Sequence, residues 1–252
     1  MADVRDSFRH VAANYSRSSF HAGAARLQEV VDLARPKKGD LVLDVATGTG
    51  NTAFALAPYV RRVIGLDLTR EMLLEGRRIA AERGIVNVEW VIGDACYLPF
   101  QDGTFDVYTV RAAPHHFREI DRFLVEAFRV LKPDRDAVLI DCAPPMPARD
   151  VLHEVEVLRD PAHILSLTVD EWTGKLERAG FEVETAQARE LDWNFDEWMG
   201  NQEIPEPRAA ELAAIIESAS GEARTQLHPE RREGRLWHAY WHCLIRAHKP
   251  GR

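Results

Sequence analysis

Cysteine is scarce. Three residues in 252, Cys96, Cys142 and Cys243, lie far apart in the chain. They form no C-x-x-C pair and no zinc spacing, and a sparse, odd set builds no disulfide framework. Buried small hydrophobes in a reducing, cytoplasmic compartment are the expectation. No apolar run reaches the roughly 18 residues that a membrane span requires. The opening Met1-Ala2-Asp3-Val4-Arg5-Asp6 carries no apolar signal segment. A basic excess is also missing. Lys plus Arg total 32 against 40 Asp plus Glu, a net charge of −8, which disfavours nucleic acid as a partner because phosphate backbones demand a basic surface. Internal repeats and low-complexity tracts are absent, and no carboxylate–histidine set has the spacing of a metal site. What is present is ordinary for a soluble globular chain, 46% hydrophobic and 29% charged, and long enough to bury a core without staples.

From Asp40 onward, short apolar runs alternate with amphipathic stretches. Leu41–Ala46, Arg62–Asp67, Val88–Gly93, Phe105–Val110 and Ala137–Asp141 read as buried strands. Between them, Asn51–Tyr59 and a stretch starting at Thr69 read as helices, as does Asp121–Leu131. That order predicts an α/β, doubly wound parallel sheet. Pro144-Pro145-Met146-Pro147 breaks the rhythm. Beyond it, Val151–Leu158 and Val169–Ala179 read as helices, Gly180-Phe181-Glu182-Val183 starts a strand, residues 191–234 read as helical and irregular, and Arg235–His248 reads as a long strand. Helices over Val4–Tyr15 and Gly23–Ala34 precede the sheet. The expected organisation is one domain: an N-terminal helical lid over 1–39, a core over 40–190, a cap insertion over 191–234 and a final strand over 235–248.

The chemistry concentrates where the first strand runs into Ala46-Thr47-Gly48-Thr49-Gly50-Asn51. A glycine turn opening a helix lets backbone N–H groups approach a ligand closely. A dinucleotide fingerprint tolerates this loop, with Ala53 at its last position. Asp44 discriminates: a carboxylate there repels a pyrophosphate and suits the ammonium or sulfonium of S-adenosylmethionine. Asp67 ends the second strand, where an acid accepts both ribose hydroxyls. Asp94 ends the third, where it accepts from an adenine amino group above Ala95. Taken singly, each of the last two is also an ordinary turn or helix cap. Three acids at three successive strand ends fit the ligand-binding edge of an open parallel sheet.

On these residues the chain resembles the class I S-adenosylmethionine-dependent methyltransferases of the ubiquinone/menaquinone-methyltransferase-like (type 11) group. Asp44-Val45-Ala46-Thr47-Gly48-Thr49-Gly50 matches the first motif, and Gly65-Leu66-Asp67-Leu68-Thr69-Arg70-Glu71-Met72-Leu73 the second. Gly93-Asp94-Ala95 through Leu98-Pro99-Phe100, Phe105-Asp106-Val107 and Arg129-Val130-Leu131-Lys132-Pro133 follow in order. The resemblance covers about residues 40–143, and weaker matches extend it to about 185. It implies seven strands ordered 3-2-1-4-5-7-6, with strand seven antiparallel, and methyl transfer from S-adenosylmethionine to a small-molecule oxygen, nitrogen or carbon. The implied cofactor contacts are Asp44, Ala46, Thr47, Gly48, Gly50, Asp67, Leu68, Met72, Asp94, Ala95 and Arg111, with Tyr15 as a lid residue. Two departures stand out: Ala46 replaces the first glycine of the loop, and Asp134-Arg135-Asp136 replaces a Gly-Gly turn.

The loop Arg111-Ala112-Ala113-Pro114-His115-His116-Phe117 borders cofactor and substrate in that family. His115 or His116 is the candidate general base; passive packing is the competing role. A quinone-precursor C-methyltransferase is the runner-up. An NAD(P)-dependent oxidoreductase and a non-catalytic S-adenosylmethionine-binding protein are alternatives of other classes. The chain is expected to act as a monomer or homodimer.

Overall fold

A computed structural model describes residues 23–200 and 202–251. Nine helices among them are α1 (Ala24–Ala34), α2 (Asn51–Leu56), α3 (Arg70–Glu82), α4 (Ile120–Val130), α5 (Ala148–Arg159), α6 (Val169–Arg178), α7 (Phe195–Gly200), α8 (Glu206–Glu217) and α9 (Gly221–Leu227). The strands are β1 (Leu41–Val45), β2 (Arg62–Asp67), β3 (Val88–Ile92), β4 (Phe105–Arg111), β5 (Leu131–Cys142), β6 (Glu182–Asn194), β7 (Glu230–Arg232) and β8 (Arg235–Lys249). They form one sheet in the order β3-β2-β1-β4-β5-β8-β6, with the short β7 paired to β8. The first five strands run parallel, and β8 runs antiparallel between β5 and β6. The expected seven-strand order with an antiparallel last strand is therefore found, plus a short eighth strand that the sequence did not signal. No helix among the described residues is long and apolar enough to cross a membrane.

Alternation along each strand sends neighbouring side chains to opposite faces. In β1, Leu43 and Val45 join one core cluster while Val42 joins another. The first cluster lies beneath α4 and α6, with Phe123, Leu124, Trp172 and Leu176 buried in it. The second lies beneath α1, α2 and α3. A third fills the space under α5, α7, α8 and α9, where Trp193, Trp198, Tyr240 and Trp241 pack. With both faces covered, the central strands are apolar runs, and β4 is buried from Phe105 through Val110.

Three expectations needed revision. First, β5 begins at Leu131, six residues before the predicted strand, and continues through the expected turn. Asp134 holds φ +57°, in the left-handed region, at the turn where the resemblance implied Gly-Gly, while Asp136 pairs with Val107 of β4. Second, β6 runs on to Asn194, because every residue from Arg189 to Asn194 finds a partner on β8. The helical cap therefore starts at Phe195, not at residue 191. Third, the described helix of the N-terminal segment, α1, lies on the sheet with Val30, Val31 and Ala34 buried. The predicted helix over Val4–Tyr15 lies outside the described residues.

Candidate active site

A cleft of about 800 Å³ opens where β1, β2, β3 and β4 end. The turn after β1 forms its floor. Ala46, Gly48 and Gly50 take φ of +50°, +56° and +91°, and the Thr47 N–H donates to Leu66 O (3.0 Å), tying the turn to β2. Gly50 does not line the cleft; it faces β3, where an added Cβ would lie 2.5 Å from Trp90 Cη2. Close packing of loop on strand, as well as φ, demands glycine there. Ala46 shows that the small residue replacing the usual glycine still adopts the left-handed backbone, at a strain of about 1 kcal/mol.

Asp44 lies at 1% exposure and lines the cleft. Thr47 Oγ1 donates to Asp44 Oδ2 (2.5 Å) and Thr109 Oγ1 donates to Asp44 Oδ1 (2.8 Å). Burial nevertheless pushes its carboxyl up to about 6, against the two hydroxyls and Arg111. Asp67 holds the turn backbone and also lines the cleft. Its Oδ2 accepts from Gly48 N–H and its Oδ1 from Thr69 N–H, each at 2.8 Å, and the residue also faces the cleft. Burial raises its carboxyl as well. Asp94 likewise accepts from Cys96 N–H (2.8 Å) while lining the cleft beside Ala95. Leu68 and Met72 complete the β2 side. On the β4 side stands Arg111, its Nε donating to Thr52 Oγ1 (3.0 Å), its guanidinium lowered to about 10 by burial despite Asp44.

This donor set fits S-adenosylmethionine. A buried acid held partly uncharged by desolvation gains from a cation placed beside it, and Arg111 offers the opposite charge to a carboxylate. Ala46, Thr47 and Gly48 line the floor. Tyr15 lies outside the described residues.

The two histidines separate. His116 lines the cleft, and its Nδ1–H donates to Ala162 O (3.1 Å). Burial, followed by the neighbouring His115, holds its pKa well below the ordinary value. His115 is not part of the cleft wall. Its Nδ1–H donates to Asp141 Oδ1 (2.5 Å) and its backbone N–H to Asp141 Oδ2 (2.8 Å). Burial opposes its charge, but Asp141 and Cys142 outweigh burial and raise its pKa well above the ordinary value. Donor atoms of His115, Asp141 and Cys142 lie within 4.8 Å of one another, a grouping no sequence spacing suggested; the short His115–Asp141 hydrogen bond accounts for their approach. Sequence reasoning also missed the segment supplying Pro161, Ala162 and Ile164 to the wall, together with Tyr97, whereas Phe117 belongs to the loop already singled out. Their only signal was membership of, or nearness to, matched motifs.

Comparison with known proteins identifies this arrangement. The ubiE/COQ5 methyltransferase family profile matches residues 2–152. The chain is 33% identical to the uncharacterized methyltransferase YcgJ of Bacillus subtilis over 219 residues, 86% of this chain and 87% of that one. It is 39% identical to the ubiquinone/menaquinone biosynthesis C-methyltransferase UbiE of Roseobacter denitrificans over 138 residues, which spans 52% of this chain and 55% of UbiE. The YcgJ crystal structure superposes with a TM-score of 0.85 at 29% identity, covering 90% of this chain and 99% of that one. A candidate methyltransferase from Bacillus halodurans C-125 gives 0.85 at 32%, covering 90% and 100%. The fold thus has its counterpart in known proteins, and this chain belongs to the ubiE/COQ5 methyltransferase family, whose methyl donor is S-adenosylmethionine.

Proposed function

We propose that the protein methylates a small-molecule acceptor held between the cofactor and the wall formed by His116, Phe117 and Ile164. The observation that carries this reading is the asymmetry of the cleft. Asp44, Asp67, Asp94 and Arg111 line it from the strand ends, while the loops after β4 and α5 contribute Phe117, Pro161, Ala162, Ile164 and the neutral imidazole of His116, with Arg118 and Glu119 beside them. Bound S-adenosylmethionine supplies an activated methyl on a cationic sulfur. Asp44 would face the ammonium and sulfonium charges, Asp67 the ribose hydroxyls and Asp94 with Ala95 the adenine. Arg111 would face the methionine carboxylate. Phe117, Pro161 and Ile164 exclude water from the transfer path, which favours a reaction in which positive charge disperses. Transfer requires the acceptor atom in line with the methyl at about 3–3.5 Å, and this wall would supply that positioning. His116, with its proton on Nδ1, presents Nε2 as the base when the acceptor must lose a proton.

Calorimetric titration with S-adenosylmethionine tests the cofactor half. Binding is expected in the micromolar range (about −8 kcal/mol), and no heat at concentrations well above it would overturn the reading. NADH binding without S-adenosylmethionine binding would favour an oxidoreductase instead. A screen of phenols, amines, thiols and carboxylates, read by homocysteine release, tests the acceptor half and separates a catalyst from a mere cofactor binder. C-methylation of a quinone precursor is the second reading, supported by the UbiE likeness; that likeness spans only half of this chain.

A further inference from the structure

We infer that His115 and Asp141 are positioning residues: together they anchor the segment 161–165 as the acceptor-side wall of the cleft. This inference rests on the reading that methyl transfer occurs in this cleft. Asp141 is 1% exposed near the end of β5. Its two oxygens take the Nδ1–H and the backbone N–H of His115, which fixes the short turn after β4 in both position and rotation. The other side of that peptide does the holding. His115 O accepts from Ile164 N–H (2.9 Å) and Leu165 N–H (3.2 Å), while His116 Nδ1–H donates to Ala162 O.

The segment in turn closes around His115. His163, 4% exposed, stacks on the His115 ring with centroids 5.1 Å apart and planes at 27°, and its Nε2 meets Ser166 Oγ at 3.0 Å. Asp160 Oδ1 accepts from Ala162 N–H and Asp160 Oδ2 from Gln202 Nε2, each at 2.9 Å, which joins the wall to the cap. Thus the strand that carries Asp141, the turn that carries both histidines and the loop that faces the acceptor share one buried ion pair. Two hydrogen bonds from one carboxylate to one residue leave that residue a single orientation. The groups facing His115 are Asp141, Cys142, His116 and His163, with Glu156, Asp160 and His242 acting through space.

Amide hydrogen exchange on the full chain, with S-adenosylhomocysteine affinity measured beside it, tests the anchor. His115→Leu should lower the protection of the Ile164 and Leu165 amides at least about tenfold, whereas His115→Asn, which keeps a donor at the Nδ1 position, should restore it to within about threefold. Asp141→Asn removes the charge that outweighs burial at His115, so burial should hold the imidazole neutral while the amide oxygen still accepts from the His115 backbone N–H. Its protection should therefore stay within about threefold of the wild type from about pH 8 to about pH 6, and both should be flat across that range. S-adenosylhomocysteine affinity should move less than about twofold throughout, because neither residue lines the cleft. With an acceptor in hand, His115→Leu should raise its KM at least about tenfold and leave the KM for S-adenosylmethionine alone. Unchanged protection in His115→Leu, equal loss in the Leu and Asn variants, or loss spread evenly over β1–β4 would overturn the anchor. Failure of the wild type to bind S-adenosylhomocysteine would sink the methyltransferase reading but leave the exchange result interpretable.

Discussion

Asp44 sets stability against binding. Its folded-state carboxyl stands near 6, above its unfolded value. Its stabilising contribution is therefore complete below about pH 4 and is lost as pH rises through about 6. Asp44→Asn should raise the melting temperature of the unliganded protein at pH 7.5, by up to about 3 kcal/mol of stability, with no gain at pH 4. The same substitution should weaken S-adenosylmethionine at least about tenfold, and wild-type affinity should fade as pH falls through about 6. Calorimetry across that range checks both. His116→Ala is expected to lower kcat about 100-fold for an acceptor that must be deprotonated, with the Kd for S-adenosylhomocysteine nearly unchanged; an equal loss in binding would demote His116 to a wall residue. Gly50→Ala should cost at least about 2 kcal/mol in urea denaturation, since the new Cβ has both a left-handed backbone and the Trp90 ring against it.

Helix α6 is bounded by a capping box. Thr168 Oγ1 accepts from Glu171 N–H (3.3 Å) and the Glu171 carboxylate from Thr168 N–H (2.8 Å). Thr168→Ala should cost about 1 kcal/mol in denaturant titrations without altering cofactor affinity. How far the sequence revealed each element depended on how the element is stabilised. Strands β1, β2 and β4 were legible because both their faces are largely buried, and the half-exposed edge strand β3 because it runs into the motif residue Asp94. The end of β6 was not: Arg189-Glu190-Leu191-Asp192 is polar and lacks a clean alternation, and only its pairing with β8 makes it strand. Strand β7 is three exposed residues joined to β8 through Glu233 and Gly234, both at positive φ; a hairpin that short leaves little periodicity to read. The acids of the cofactor floor were readable from strand ends. The His115–Asp141–His163 assembly was not, because three distant stretches meet only after the sheet has formed.

Across the molecule, one apolar cluster reaches from Leu66 on β2 to Ile245 on β8. The cofactor edge and the antiparallel edge thus share packing. Ile245 is fully buried, and Ile245→Ala should cost about 2–5 kcal/mol, with global exchange protection falling in β1 and β6 alike. Loss confined to β6 and β8 would instead mark the antiparallel edge as an independent unit.

The interior place of β8 also has a consequence for biosynthesis. It is translated after every strand it joins, yet among the described residues it alone bridges β5 and β6 within the sheet. Until it leaves the ribosome, the nascent sheet carries two unsatisfied edges of twelve and thirteen residues, each a template for mispairing with another chain. Asp141 sits on one of them. The half of the sheet that carries the cofactor floor can therefore assemble early, while the half that shapes the acceptor wall waits for the last strand, and chaperone demand should peak in that interval.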